Sequence, residues 1–178
     1  MTTTPALHRT RCYELYSQST GVEIRETVKT HEEGSRITER TGRIMLSFFK
    51  LTPRTRPDET TQIRFICEPD EAWELGTRIG RLAGATEPAK EKLSPHRFTG
   101  NQGGETVTTV TAEKWARGGK SGFALTIGRG DDFISVPIPA AKFAFAGEFL
   151  RSLAIRQCWV EQPERPARPT PDGGSCPG

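Results

Sequence analysis

The residues best suited to chemistry lie in one seven-residue run. Lys114-Trp115-Ala116-Arg117-Gly118-Gly119-Lys120 sets an indole, three cations and two glycines side by side. Single-stranded nucleic acids are held by cations that follow the phosphates and by aromatic rings on which bases stack. Trp115 would stack on a base while Lys114, Arg117 and Lys120 meet phosphates. The competing placement has Trp115 closing the core from a strand end, since packing rewards a large ring as well. A comparable set in the first half is Arg25, Lys29, Arg36, Arg40 and Arg43. Its stretch RITERTGR reads either as a phosphate track or as a solvated arm offset by Glu39. Lys50, Arg64, Arg97 and Arg129 extend the candidate set along predicted strands. Phe48 and Phe49 point to opposite faces, so one is core and the other exposed or covered by an oligomer partner; Phe48 is the candidate for the outward ring.

Other chemistries find little support. Gly118-Gly119-Lys120-Ser121 imitates the end of a phosphate loop, but the first glycine of that motif would fall at Lys114, and a strand follows where a helix is needed. Arg129-Gly130-Asp131 reads as a tight turn. No Gly-x-Ser-x-Gly elbow occurs. Three histidines (His8, His31, His96) are widely separated, and Cys12, Cys67, Cys158 and Cys176 form no Cys-x-x-Cys pair. Neither a metal site nor a cofactor is therefore expected. With five Asp in the chain, a metal-dependent nuclease lacks its usual carboxylates, and the protein is not expected to be an enzyme. No apolar run reaches the ~18 residues of a membrane span. The start, MTTTPALHRTR, lacks the apolar segment of a secretory signal. The expected location is the cytoplasm, on the nucleoid if DNA is the ligand.

The 178 residues carry 18 Arg and 7 Lys against 22 acidic groups, a formal charge of +3. So small an excess excludes a histone-like polycation, but it is unevenly spread. Residues 90–130 hold seven cations against three carboxylates, whereas residues 131–161 hold three against four. The positive charge therefore falls on predicted strands and hairpins, and distribution rather than sum is what a phosphate meets.

Those strands can be located. The segments Tyr13–Ser17, Val22–Lys29, Arg43–Lys50 and Gln62–Cys67 alternate or are apolar, and read as strands. Asp70 to Ala83 reads as a helix, with Ala72, Leu75, Ile79 and Leu82 on one stripe, Pro69 at its start and Gly84 at its stop. Leu93–Phe98, Glu105–Trp115, Gly122–Gly128 and Phe133–Ile138 follow as strands. Ala140 to about Ile155 closes as a helix with Phe145, Phe149, Leu150 and Leu153 as its stripe and Phe143 beside it. The order is four strands and a helix, twice over. Each half ends in a strand, a proline and a helix with an aromatic four residues past that proline (Trp73, Phe143). The expected fold is α+β: one domain over residues 11–160, made of two ββββα repeats (about 11–85 and 91–157) with antiparallel sheets and two packed helices. Residues 1–10 and 162–178 are expected to be disordered tails, the second rich in Pro and Gly.

This order resembles the Whirly superfamily of single-stranded-DNA-binding proteins, which carry two copies of the β4-helix unit found singly in the transcriptional positive-cofactor family. The likeness is best over Phe133–Ala154, FISVPIPAAKFAFAGEFLRSLA, and Lys120-Ser121-Gly122-Phe123-Ala124-Leu125 is faintly similar to a Lys-Gly-Lys-Ala-Ala-Leu motif of plant members. That motif belongs to the first half in the family and falls in the second half here. The resemblance implies binding of single-stranded DNA, with RNA as the alternative ligand, over outer sheet faces, with low sequence specificity and in a homo-oligomer (dimer or tetramer). The rival expectation is a non-catalytic protein-interaction or oligomerisation domain.

Overall fold

The computed structural model describes residues 10–51, 60–99 and 105–162. Apart from Thr10 and Gln162, the two expected tails lie outside these residues. So do Arg54 and Arg56, in a stretch whose sequence reads as a long loop (Leu51–Thr61), and Gly103-Gly104, where the sequence predicts a turn.

In the first half, β1 (Cys12–Tyr16), β2 (Thr20–Glu33), β3 (Arg36–Lys50) and β4 (Gln62–Cys67) form an antiparallel meander, followed by α1 (Pro69–Gly84). The second half repeats it. Its first strand is broken into β5 (Ala89–Lys92) and β6 (His96–Thr99), both paired with β7 (Glu105–Arg117). Then come β8 (Lys120–Arg129), β9 (Asp132–Ile138) and α2 (Ala140–Gln157). The break falls at Leu93–Pro95, where the register slips and Pro95 has no N–H to give a ladder. The expected repeat of two ββββα units is thus the architecture of the chain.

The strands differ from the sequence reading mainly in length. The β2–β3 hairpin runs well past the sheet to a turn at Gly34, whose φ of 63° suits glycine. The arm is exposed and so carries no hydrophobic pattern; its strand character comes from pairing alone. A two-residue strand, β10 (Val160–Glu161), pairs with Thr41 and Arg40 and had no sequence signal. There, Gly42 N–H donates to the Trp159 carbonyl at 3.2 Å. A Cβ at Gly42 would sit 2.3 Å from the Gln157 carbonyl oxygen, so this strand needs glycine.

One core joins both halves. Val22, Ile24, Ile44, Leu46, Phe48 and Phe65 meet Val110, Leu125, Ile127 and Val136 through the helices between them. Helix α1 packs chiefly on β7 and β5, and α2 on β3, β2 and β1, so each helix covers the other half's sheet. Ala72, Leu75, Ile79 and Leu82 are all buried, as their spacing requires. Glu71 accepts the Glu68 N–H at 2.9 Å, which closes the first turn of α1. His96 Nε2 lies 2.6 Å from the same Glu71, and its ring stacks on Phe65, which fastens the second half to the start of α1.

In α2 the expected stripe is rotated. Phe143, Ala146, Gly147, Leu150, Leu153 and Ala154 are buried, while Phe145 is 53% exposed and turns edge-on to Tyr13. The largest side chains mark a buried stripe only where space is ample. Here the helices touch through backbone, so small residues take the seam. A Cβ at Gly76 would come 2.6 Å from the Gly147 carbonyl oxygen, and one at Gly147 would come 2.9 Å from Ile79 Cγ2. Trp73 and Phe143, matched by the repeat, also differ. Phe143 stacks on Phe123 in the core, whereas Trp73 is largely exposed with the Arg151 guanidinium 5.8 Å from its ring.

Two alanine substitutions on the same helix should therefore have opposite signs. Gly76→Ala should destabilise by about 1–3 kcal/mol through overpacking, despite alanine's better helix propensity. Gly80→Ala, with nothing within 4 Å of the new methyl, should stabilise by up to about 1 kcal/mol. Denaturant unfolding of both variants checks this, and equal effects would refute the backbone contact.

Candidate nucleic-acid interface

Alternation decides what each sheet shows to solvent. With Ile134, Val136 and Ile138 inside, β9 turns Phe133, Ser135 and Pro137 outward; with Val110 and Ala112 inside, β7 turns out Thr109, Glu113, Trp115 and Arg117, with Thr111 on the same face but buried by its neighbours. The register then lays out rows across the outer face of this sheet. These are Trp115 beside Gly122; Lys90, Glu113, Ala124 and Pro137; Lys92, Thr111, Thr126 and Ser135; and Thr109, Gly128 and Phe133. Arg117 is 80% exposed in its side chain, and Lys120 stands across the Gly118-Gly119 turn from it.

The outer face of the first sheet carries a different charge. Its rows read Cys12, Arg25, Met45 and Ile66; Glu14, Glu23, Ser47 and Arg64; and Tyr16, Gly21, Phe49 and Gln62. Two carboxylates here offset the two arginines. Arg25 Nε lies 3.5 Å from Glu23 and is itself buried without a hydrogen bond. The Tyr16 hydroxyl donates to Glu14 at 2.6 Å, a bond that raises the phenol pKa and holds the ring outward against Phe49, 5.8 Å away between centroids. Partial burial, with the Glu23 carboxylate second, pushes the Cys12 thiol up to about 11, and burial raises Cys67 as well. Both thiols stay protonated at neutral pH and offer no nucleophile. Among the described residues no group of three His, Cys, Asp or Glu side chains converges as for a metal, and no helix is long and apolar enough to cross a membrane.

A furrow follows β9 where the two sheets meet. At one end a cleft of about 490 Å³ lies between the Ser17–Ser19 turn with Tyr16 and the wall of Trp115, Gly122, Phe123, Pro137, Ile138 and Pro139. A second cleft of about 370 Å³ continues past Trp115 over Ala124 and Pro137 to Glu113, Arg117 and Ser135. A third, of about 430 Å³, lies at the other end, with Phe133, Lys50, Ser19, Thr20 and the Asp131-Asp132 turn. Thr20 Oγ1 donates to the Ser135 carbonyl at 2.8 Å and pins the first sheet against β9. Trp115 and Phe133 are about 20 Å apart along the strands, at roughly 3.4 Å per residue.

The candidate residues divide on this surface. Trp115, half-buried with its indole flat on Gly122, borders the furrow, as do Arg117 and Lys50; Lys120 stands by the hairpin. Four candidates are corrected. Phe48 is in the core, and its neighbour Phe49 is the outward ring. Lys114 points inward, where its ammonium donates to the Ala85 and Thr86 carbonyls and neutralises the C-terminal end of α1. Arg129 donates from Nε to Thr108 Oγ1 at 3.1 Å and from Nη2 to the Arg64 carbonyl at 2.7 Å, tying the sheets together. Arg43, only 13% exposed in its side chain, pairs with Glu68 at 2.7 Å. Lys29, Arg36 and Arg40 lie on the hairpin arm, roughly 25 Å or more along the strand from the furrow. Arg40 pairs there with Glu161. Arg97 pairs with Glu105 at the far edge of the second sheet, and Arg25 and Arg64 face out on the first. Tyr16, Phe133 and Glu113 were not among the candidates. The alternation in YELY and FISVPI places both rings outside and could have found them.

No protein-family model matches the sequence, and no curated protein matches it. Solved structures do. The crystal structure of WHY1 from Arabidopsis thaliana is similar at a TM-score of 0.52 and 16% identity, over 87% of this chain and 88% of that one. The structure of the plant transcriptional regulator PBF-2 is similar at a TM-score of 0.50 and 16% identity, over 86% of this chain and 84% of that one. The fold is therefore Whirly-like, with the pseudo-twofold arrangement expected from the repeat.

The seat of the indole can be checked directly. A Cβ at Gly122 would fall 2.6 Å from Trp115 Cζ2. Gly122→Ala should leave stability within about 1 kcal/mol, because the ring end can yield, yet shift the Trp115 indole N–H resonance in a proton–nitrogen NMR spectrum. An unmoved resonance would mean the indole does not lie on Gly122.

Proposed function

We propose that this protein binds single-stranded nucleic acid, DNA in the first place, along the furrow beside β9. The observation that carries the reading is the run of outward rings, Tyr16, Trp115 and Phe133, on a sheet border supplied with Lys50, Arg117 and Lys120. Phe133 is 69% exposed, which leaves its ring available for a base to stack on. Rings offer faces to any base and cations meet any phosphate, so binding of this kind tolerates most sequences. The Whirly-like fold supports the reading, and one similar structure is that of a plant transcriptional regulator. The proposal includes self-association as a dimer or tetramer. It is supported by the apolar groups Trp73, Phe145 and Ile155 left exposed on the helices, and light scattering tests it.

Fluorescence anisotropy with a labelled mixed-sequence strand, at two salt concentrations, tests binding. Affinity should fall with salt, and Arg117→Ala or Lys120→Ala should each flatten the slope by about 0.7. Trp115→Ala should cost about 1–3 kcal/mol of binding without lowering the unfolding midpoint. Arg40→Ala, on the distant arm, should change little. Absence of binding at low salt would end the proposal.

A further inference from the structure

A carboxylate stands among the cations Lys90, Lys92 and Arg117 on the outer face of the second sheet. Glu113 projects outward from β7, two residues before Trp115 on the same side, and forms one wall of the cleft floored by Ala124 and Pro137. Its side chain is 24% exposed. Arg117 Nη2 lies 3.9 Å from Oε1 and Lys90 Nζ lies 4.0 Å from Oε2, both too far for a hydrogen bond. Among the described residues nothing closer donates to Glu113. Both oxygens therefore keep unused lone pairs beside a cleft whose other lining is the Trp115 indole, the Ala124 methyl, the Pro137 ring, Arg117 and Ser135, whose hydroxyl is already engaged by Thr126. The two nearby cations offset its repulsion of phosphates.

An ionised carboxylate only accepts hydrogen bonds. A base stacked against Trp115 would turn an edge toward Glu113, and the four bases differ in what that edge offers. Guanine presents N1–H and the N2 amino group side by side, two donors matched to two oxygens in the bidentate manner. Cytosine and adenine offer one exocyclic amino group. Thymine and uracil have a single N3–H between two carbonyl oxygens, which would face the carboxylate with like partial charge. We propose that Glu113 is a specificity-determining residue and that the cleft beside Trp115 is a guanine-preferring subsite within an otherwise sequence-tolerant furrow. This rests on the nucleic-acid reading above.

The test compares two labelled strands of about 12 nucleotides, one of alternating thymidine and guanosine, which has no guanine runs, and one of thymidine alone. The wild-type protein should bind the guanine-containing strand about tenfold more tightly. Glu113→Gln should bring the two affinities within about twofold and tighten binding of the thymidine strand, because a like charge is removed. A purely electrostatic role would instead tighten both strands equally and leave their ratio unchanged, which would overturn the assignment. Equal affinities in the wild type would also overturn it while leaving nucleic-acid binding intact. If neither strand binds at low salt, the nucleic-acid reading itself fails and the subsite with it.

Discussion

The structure turns on the place where α1 and α2 touch through bare backbone at Gly76 and Gly147. That approach lets both helices fit in one layer between two sheets. Each helix can then reach across to cover the opposite sheet. Both inner faces are filled in this way, and no helix covers either outer face. Larger side chains at the seam would hold the helices further apart. The furrow is a by-product of this closeness: it forms where β1 and β2 of one half come up against β9 of the other, with Thr20 bonded to Ser135.

Much of this was legible in the sequence because it rests on local periodicity. The stripe of Ala72, Leu75, Ile79 and Leu82 has one reading, and so does the alternation of Ile63, Phe65 and Cys67. The doubled order of elements followed from those signals. The readings that missed share a cause. In α2, five aromatic and leucine positions (Phe143, Phe145, Phe149, Leu150 and Leu153) compete for one stripe, and the choice among them is made by a partner helix that the local pattern does not describe. The arm of the β2–β3 hairpin and the short β10 are held by backbone pairing, which leaves no mark in side-chain type.

The candidate site was legible to a smaller extent, and the cations show why. Lys114, Arg117 and Lys120 are near neighbours in sequence and alike in chemistry, yet Lys114 closes a helix end 28 residues away while the other two face solvent. Arg43 and Arg129 are likewise engaged by Glu68 and by the Thr108 hydroxyl and Arg64 carbonyl. A charged group's task depends on what the fold brings to it, and those partners are distant in the chain. The aromatic residues were more readable. Strand parity alone separates Phe133 from Ile134 and Tyr16 from Leu15, and the Phe48–Phe49 pair needed only the strand's phase to be set by Ile44 and Leu46.

The exchange of helices between sheets has a consequence for the order in which the protein can be made. The first sheet is covered by α2, and its β3 edge is completed by β10, the last described strand. On a ribosome, β1 to β4 emerge with their apolar face bare and must wait for Leu150, Leu153 and the Trp159–Gly42 bond before the face is sealed. At typical elongation speeds that wait is on the order of ten seconds. Each half's sheet is covered mainly by the other half's helix, so the nascent first half is the stage at which a holding chaperone has the most surface to grip.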